Sequence, residues 1–140
     1  MKKWLLILIG LLLFFGCKNQ AVNQIVSKKR EGFWIEKYTD DSLKYQSRGF
    51  YKKGNPIKKW KYFLNGQLIK KEKYQADYCQ TRVYYQNGKL ASKGKTKLDS
   101  INQKYHWYYN GIWKFYNQKG KLMTLREYKN GDLISETEIK

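Results

Sequence analysis

Few side chains in this sequence could do covalent or acid–base chemistry, and they do not converge. His106 is the single histidine and stands beside Trp107, a setting more typical of a satisfied or surface side chain than of a general base. Cys17 and Cys79 are the two cysteines; neither belongs to a Cys-x-x-Cys pair, and no disulfide framework can be drawn from them. Cys79 reads as a small buried hydrophobe in preference to an exposed thiol. Asp40 and Asp41 fall in a turn, while Glu36, Glu72, Asp77 and Glu127 are scattered among lysines as ion-paired surface groups would be. There is no set of metal-ligand spacings, no nucleophile elbow and no glycine-rich phosphate loop leading into a helix. The chain therefore reads as a non-enzyme with no cofactor and no metal.

Binding chemistry is better represented. Trp34, Trp60, Lys61, Tyr62, Trp107, Tyr108 and Trp113 interleave large aromatic rings with cations. Exposed together, they would grip glycans by stacking, lipid head groups by charge, or a protein through aromatic anchors. The competing reading makes the tryptophans core, because aromatics dominate burial in small domains.

The elements that carry these residues are β-hairpins. A six-residue frame recurs: aromatic, any residue, Asn or Asp, Gly or Asp, any residue, then Leu or Trp. It runs Tyr38 to Leu43, Phe63 to Leu68, Tyr85 to Leu90, Tyr108 to Trp113 and Tyr128 to Leu133, at spacings of 25, 22, 23 and 20 residues; a looser copy spans Tyr116 to Leu122. Asn-Gly supplies the two positive-φ positions of a two-residue type I′ turn. That register sets Phe63 against Leu68, Tyr85 against Leu90 and Tyr128 against Leu133. Aromatic runs such as Trp60-Lys61-Tyr62-Phe63 and Trp113-Lys114-Phe115-Tyr116 have strand composition. No stretch after residue 27 shows a helical apolar period with caps. The expected fold is all-β, an elongated antiparallel meander of repeated hairpins over residues 32–140, with Lys93 to Lys104 as an insertion loop or irregular repeat.

Gly32, Trp34 and Tyr38; Trp60, Phe63, Asn65, Gly66 and Leu68; Tyr85, Asn87, Gly88 and Leu90; and Gly111, Trp113, Tyr116, Gly120 and Leu122 resemble the Gly-x-Trp-x-x-Tyr and Asn-Gly-x-Leu elements of the MORN-repeat-variant family, common among lipoproteins of Bacteroidota-like bacteria. The resemblance implies a sheet built hairpin by hairpin, each contacting mainly its neighbours. Because some members of that family are labelled antitoxins, it also implies, by fold-level analogy, an immunity-type protein neutralising an acidic toxin partner.

The N-terminus carries a different signal. Lys2 and Lys3 precede an apolar run from Trp4 to Phe15, then Gly16 and Cys17, then the polar Lys18, Asn19 and Gln20. That is the order of a cleaved signal peptide. Twelve helical residues reach about 18 Å, short of the roughly 30 Å hydrocarbon core. Leu13-Phe14-Phe15-Gly16-Cys17 resembles the lipobox of bacterial lipoproteins. The resemblance implies residues 1–16 as the leader, diacylglycerol and usually an additional acyl chain such as palmitate on Cys17, and residues 17–31 as lipid attachment and polar tether. Several acyl chains would anchor far more durably than one. The residues after Cys17 lack the inner-membrane aspartate signal, so the default place is the outer membrane, facing the periplasm.

Loss of Lys2 and Lys3 takes the formal charge from +18 to +16. Such a domain attracts polyanions: anionic envelope components or an acidic protein. Nucleic acid is disfavoured, because only Arg30, Arg48, Arg82 and Arg126 are arginine and because the chain is exported. The same lysines also keep an aromatic β-surface soluble. The two expectations that remain are a membrane-anchored binding or scaffold module and an immunity-type protein.

Overall fold

Strand-forming runs separated by tight turns fold into one sheet. The computed structural model describes residues 21–101 and 104–140; the expected leader and the expected lipid site Cys17 lie outside them. Ten strands follow one another: β1 (Gln24–Val26), β2 (Lys29–Asp40), β3 (Leu43–Lys52), β4 (Asn55–Leu64), β5 (Gln67–Tyr74), β6 (Tyr78–Tyr84), β7 (Leu90–Ile101), β8 (Lys104–Tyr116), β9 (Leu122–Lys129) and β10 (Asp132–Glu138). Each pairs antiparallel with the next, in chain order. The all-β meander expected from the hairpin frames is the observed fold, and no helix occurs among the described residues.

The turns obey the expected rule in some places and depart from it in others. Asn65-Gly66 and Asn130-Gly131 have both φ angles positive, and they set Phe63 against Leu68 and Tyr128 against Leu133 as expected. At Asn87-Gly88 the loop is longer: Gly88 N donates to Tyr85 O, Tyr85 N donates to Lys89 O, and it is Tyr84 that pairs with Leu90. The loop at Asn117 to Gly120 repeats that geometry, with Gly120 N on Asn117 O and Tyr116 opposite Leu122. These two loops lie side by side, tied by Tyr85 Oη to Tyr116 O (2.6 Å) and Asn87 Nδ2 to Gln118 O (3.0 Å). The first turn sits one residue later than expected, at Asp41-Ser42, which pairs Tyr38 with Tyr45 as parallel rings 4.6 Å apart.

Larger corrections concern three segments. Asn110-Gly111 is no turn but lies inside β8, where the left-handed φ of Gly111 serves a bulge. Lys93 to Lys104, expected as a loop or irregular repeat, is occupied through Ile101 by β7, with Thr96 and Leu98 on one face and Lys95 and Lys97 on the other. The sheet begins at Gln24, inside the expected tether, because Ser27 and Lys28 both adopt positive φ and close a hairpin without glycine.

The bulges organise the core. Gly49 of β3 faces three residues of β4, Lys58 to Trp60, and Gly94 of β7 faces Gly111 to Trp113 of β8. Lys58 and Gly111 stand at matching positions, both with left-handed φ (60° and 70°). Each bulge lays an indole flat on the glycine opposite: a Cβ on Gly49 would lie 2.2 Å from Trp60 Cδ2, and one on Gly94 would lie 2.2 Å from Trp113 Cδ2. Both indoles donate Nε1–H to the carbonyl one residue beyond the glycine, Phe50 O (3.1 Å) and Lys95 O (2.9 Å). Trp34, two residues after the left-handed Gly32, donates instead to Glu31 O (3.0 Å).

Alternation along each strand fixes two faces. One carries Trp34, Gly49, Trp60, Glu72, Thr81, Gly94, Trp113 and Arg126 in a row across β2 to β9. Tyr74 on β5 meets Trp107 on β8 edge to face at 5.6 Å across two intervening strands, so this face is concave. The core sits here: Trp34, Trp60, Cys79 and Trp113, with Thr81 and Ser92, are buried.

Candidate functional site

Strand alternation divides the aromatic and lysine residues expected to form one binding surface. Trp34, Trp60 and Trp113 are core on the concave face, with Tyr62 beside Trp60 and Trp107 against Tyr74. Lys61 and Tyr108 point to the opposite face, because each follows a concave-face residue by one position. The seven residues therefore do not share one surface: five lie on the concave face and two on the other.

On the concave face, Glu72 gathers the polar side chains. Its Oε2 accepts hydrogen bonds from Tyr62 Oη (2.6 Å) and Tyr74 Oη (2.8 Å), and Oε1 pairs with Lys70 Nζ (2.9 Å). Burial foremost, and then Glu72 through its hydrogen bond and its charge, push both phenols above their ordinary range. Burial foremost, with Glu72 second, pushes the Cys79 thiol up to about 11. A cleft of about 350 Å³ opens beside this cluster, lined by Lys70, Glu72, Thr81, Trp113, Arg126 and Tyr128. The two phenols and the thiol are pushed toward their protonated forms and Glu72 is paired with Lys70, an arrangement that suits a structural tie between strands. No set of three or more metal-ligating side chains is grouped among the described residues.

The opposite face has a different chemistry. Directly behind the tryptophan row, Arg48, Lys61, Lys71, Arg82, Lys93 and Lys114 pair in succession across β3 to β8. The row ends at Ile35 of β2 and Leu125 of β9. At about 4.8 Å per strand, the six cations cover about 24 Å. Like charges directly opposite each other destabilise a sheet. Alternate members relieve the repulsion by leaning on rings: Arg48 over Phe63 (4.8 Å), Lys71 over Tyr84 (5.2 Å) and Lys93 over Tyr116 (5.8 Å). Lys61, Arg82 and Lys114 are left exposed between them.

No carboxylate neutralises this row. The ion pairs among the described residues are Arg30–Glu36, Lys70–Glu72 and Arg126–Glu136, and none involves it. Glu36, Glu72 and Glu136 all belong to the concave face, while Asp99 and Glu127 lie on the basic face but off the row. Two positions along the strands runs a second row, Lys59, Lys73, Gln80, Lys95 and Asn110. Two depressions of about 450 and 470 Å³ lie between the rows, next to each other across the strands, with Gln80 and Arg82 lining both.

Sequence reasoning picked out Lys61 but missed the rest of this row, because the row exists only once the registers are known. A signal was present: Trp60-Lys61 and Trp113-Lys114 repeat one dipeptide, and Arg48-Gly49 and Lys93-Gly94 repeat its cross-strand partner. No protein-family model, no curated protein and no solved structure matches the chain.

Proposed function

We propose that this protein is a non-catalytic binding module of the cell envelope, anchored by lipid on Cys17 and offering its basic face to an anionic partner. The observation that carries the reading is the segregation of charge. Glu36, Glu72 and Glu136 of the concave face are ion-paired within the fold, whereas six cations on the other face stand opposite one another without an ion-pair partner among the described residues. A sheet kept only soluble by lysine would gain by mixing signs, as ordinary surfaces do. Export through the leader puts the domain among acidic polymers and head groups, facing the periplasm from the outer membrane. Membership of the MORN-repeat-variant family fits the hairpin-by-hairpin sheet and belongs to the same proposal. No helix of the described residues is long and apolar enough to cross a membrane.

The test is a crosslinked capture from envelope membranes with wild-type protein beside Cys17→Ala. The reading expects lipid labelling and membrane retention of the wild type, release of the variant, and capture of anionic envelope components. Full retention of unlabelled Cys17→Ala would remove the lipid anchor. Capture of one acidic, toxin-like protein alone would replace the scaffold reading with the immunity one.

A further inference from the structure

The basic face is a track, and its shape narrows the class of partner. This step rests on the anionic-partner reading above and goes on to name the ligand. We infer that the groove between the two basic rows holds a linear acidic polysaccharide, laid across the strands with its carboxylates facing Lys61, Arg82 and Lys114.

Three features favour such a chain. First, the charges are in single file, one per strand over six strands, which matches a polymer bearing a repeating negative group and not a lone anion. Second, two adjoining depressions follow one another from β4 to β8 and are bordered on their far side by Lys59, Lys73 and Lys95, about 7 Å away along the strands. A bilayer would meet the crest of this face and leave the groove empty, whereas a flexible chain can lie within it. Third, the neighbouring rings Phe63, Tyr84 and Tyr116 are covered by Arg48, Lys71 and Lys93, so they offer no platform for bases. Seven of the eight cations lining the groove are lysines, mobile point charges that follow a repeating anion without the bidentate arginine forks that read base edges.

The experiment measures binding of labelled oligogalacturonates of increasing length to the lipid-free mature protein. The variants are Lys61→Gln/Arg82→Gln/Lys114→Gln and a control of equal charge change, Lys121→Gln/Lys129→Gln/Lys140→Gln. Affinity should rise with oligomer length and level off once the row is covered. The row variant should bind at least about tenfold more weakly, and the control within about twofold of wild type. Thermal unfolding of both variants checks that they are folded. Single-stranded DNA of matched charge and phosphatidylglycerol vesicles should each bind at least about tenfold more weakly than the longest oligomer. Equal loss in the two variants would overturn the groove while leaving a generally anionic partner standing. Equal or tighter binding of DNA or vesicles would overturn the polysaccharide. Failure to bind any of the three polyanions would remove both this inference and the reading beneath it.

Discussion

Trp60 and Trp113 owe their burial to glycines on the neighbouring strand. An indole cannot lie flat on a sheet unless the residue beneath lacks a side chain, and Gly49 and Gly94 fill that role. A methyl group there would occupy the space of the ring, and both tryptophans are 2% exposed with no room to shift outward without giving up burial. Gly49→Ala and Gly94→Ala should each cost about 3 kcal/mol, read by denaturant unfolding; a loss under about 1 kcal/mol would mean the rings move freely. Cys79 makes a second test. Its folded value, raised by burial first and then by Glu72, lies above the ordinary 9.0, so its contribution to stability is complete below pH 9 and is lost as pH rises through about 11. Stability should fall over that window by up to about 3 kcal/mol from this group, and Cys79→Ala should flatten the fall. The thiol should resist alkylation in the native protein at pH 8 and react once it is unfolded. That Cys79 is a core residue was legible from its lack of chemical neighbours; the influence of the Glu72 charge on it was not, because β5 and β6 had first to be registered.

Hairpins were the most legible elements, and their failures have one cause. Asn-Gly marks a chain position able to hold positive φ, and such positions serve turns and bulges alike. Asn65-Gly66 and Asn130-Gly131 use it to reverse the chain, whereas Gly111 uses it to swing Trp113 onto Gly94. Conversely, Ser27-Lys28 and Lys53-Gly54 close hairpins with no asparagine at either central turn position, with Lys28 at φ 62° and Lys53 at φ 52°. A non-glycine residue in that region is strained, and the strain is removable. Lys28→Gly should stabilise the protein by about 0.5–1 kcal/mol, seen as a higher denaturant midpoint and slower amide exchange in β1. An unchanged midpoint would show that the β1–β2 turn contributes nothing to cooperative unfolding.

For the whole molecule, the organising feature is a curved sheet whose two faces do different work. The concave face holds the indoles and the satisfied carboxylates; the other carries cations that face one another across six strands. Net charge announced an attraction to anions, yet only strand register converts scattered lysines into a file, so the site was legible in kind and not in place. Replacing Lys61, Arg82 and Lys114 breaks all five like-charged pairs of the row and leaves the three ring contacts intact. If the row is kept for binding, at some cost to folding, its removal must stabilise the free protein. The most direct measurement is therefore the unfolding free energy of Lys61→Gln/Arg82→Gln/Lys114→Gln against wild type, at low and at high salt without ligand. The account predicts a gain of about 1–2 kcal/mol at low salt, shrinking toward zero near 1 M salt as screening shortens to about 3 Å. A variant less stable than wild type at low salt would contradict it, because the row would then be part of what holds the sheet together.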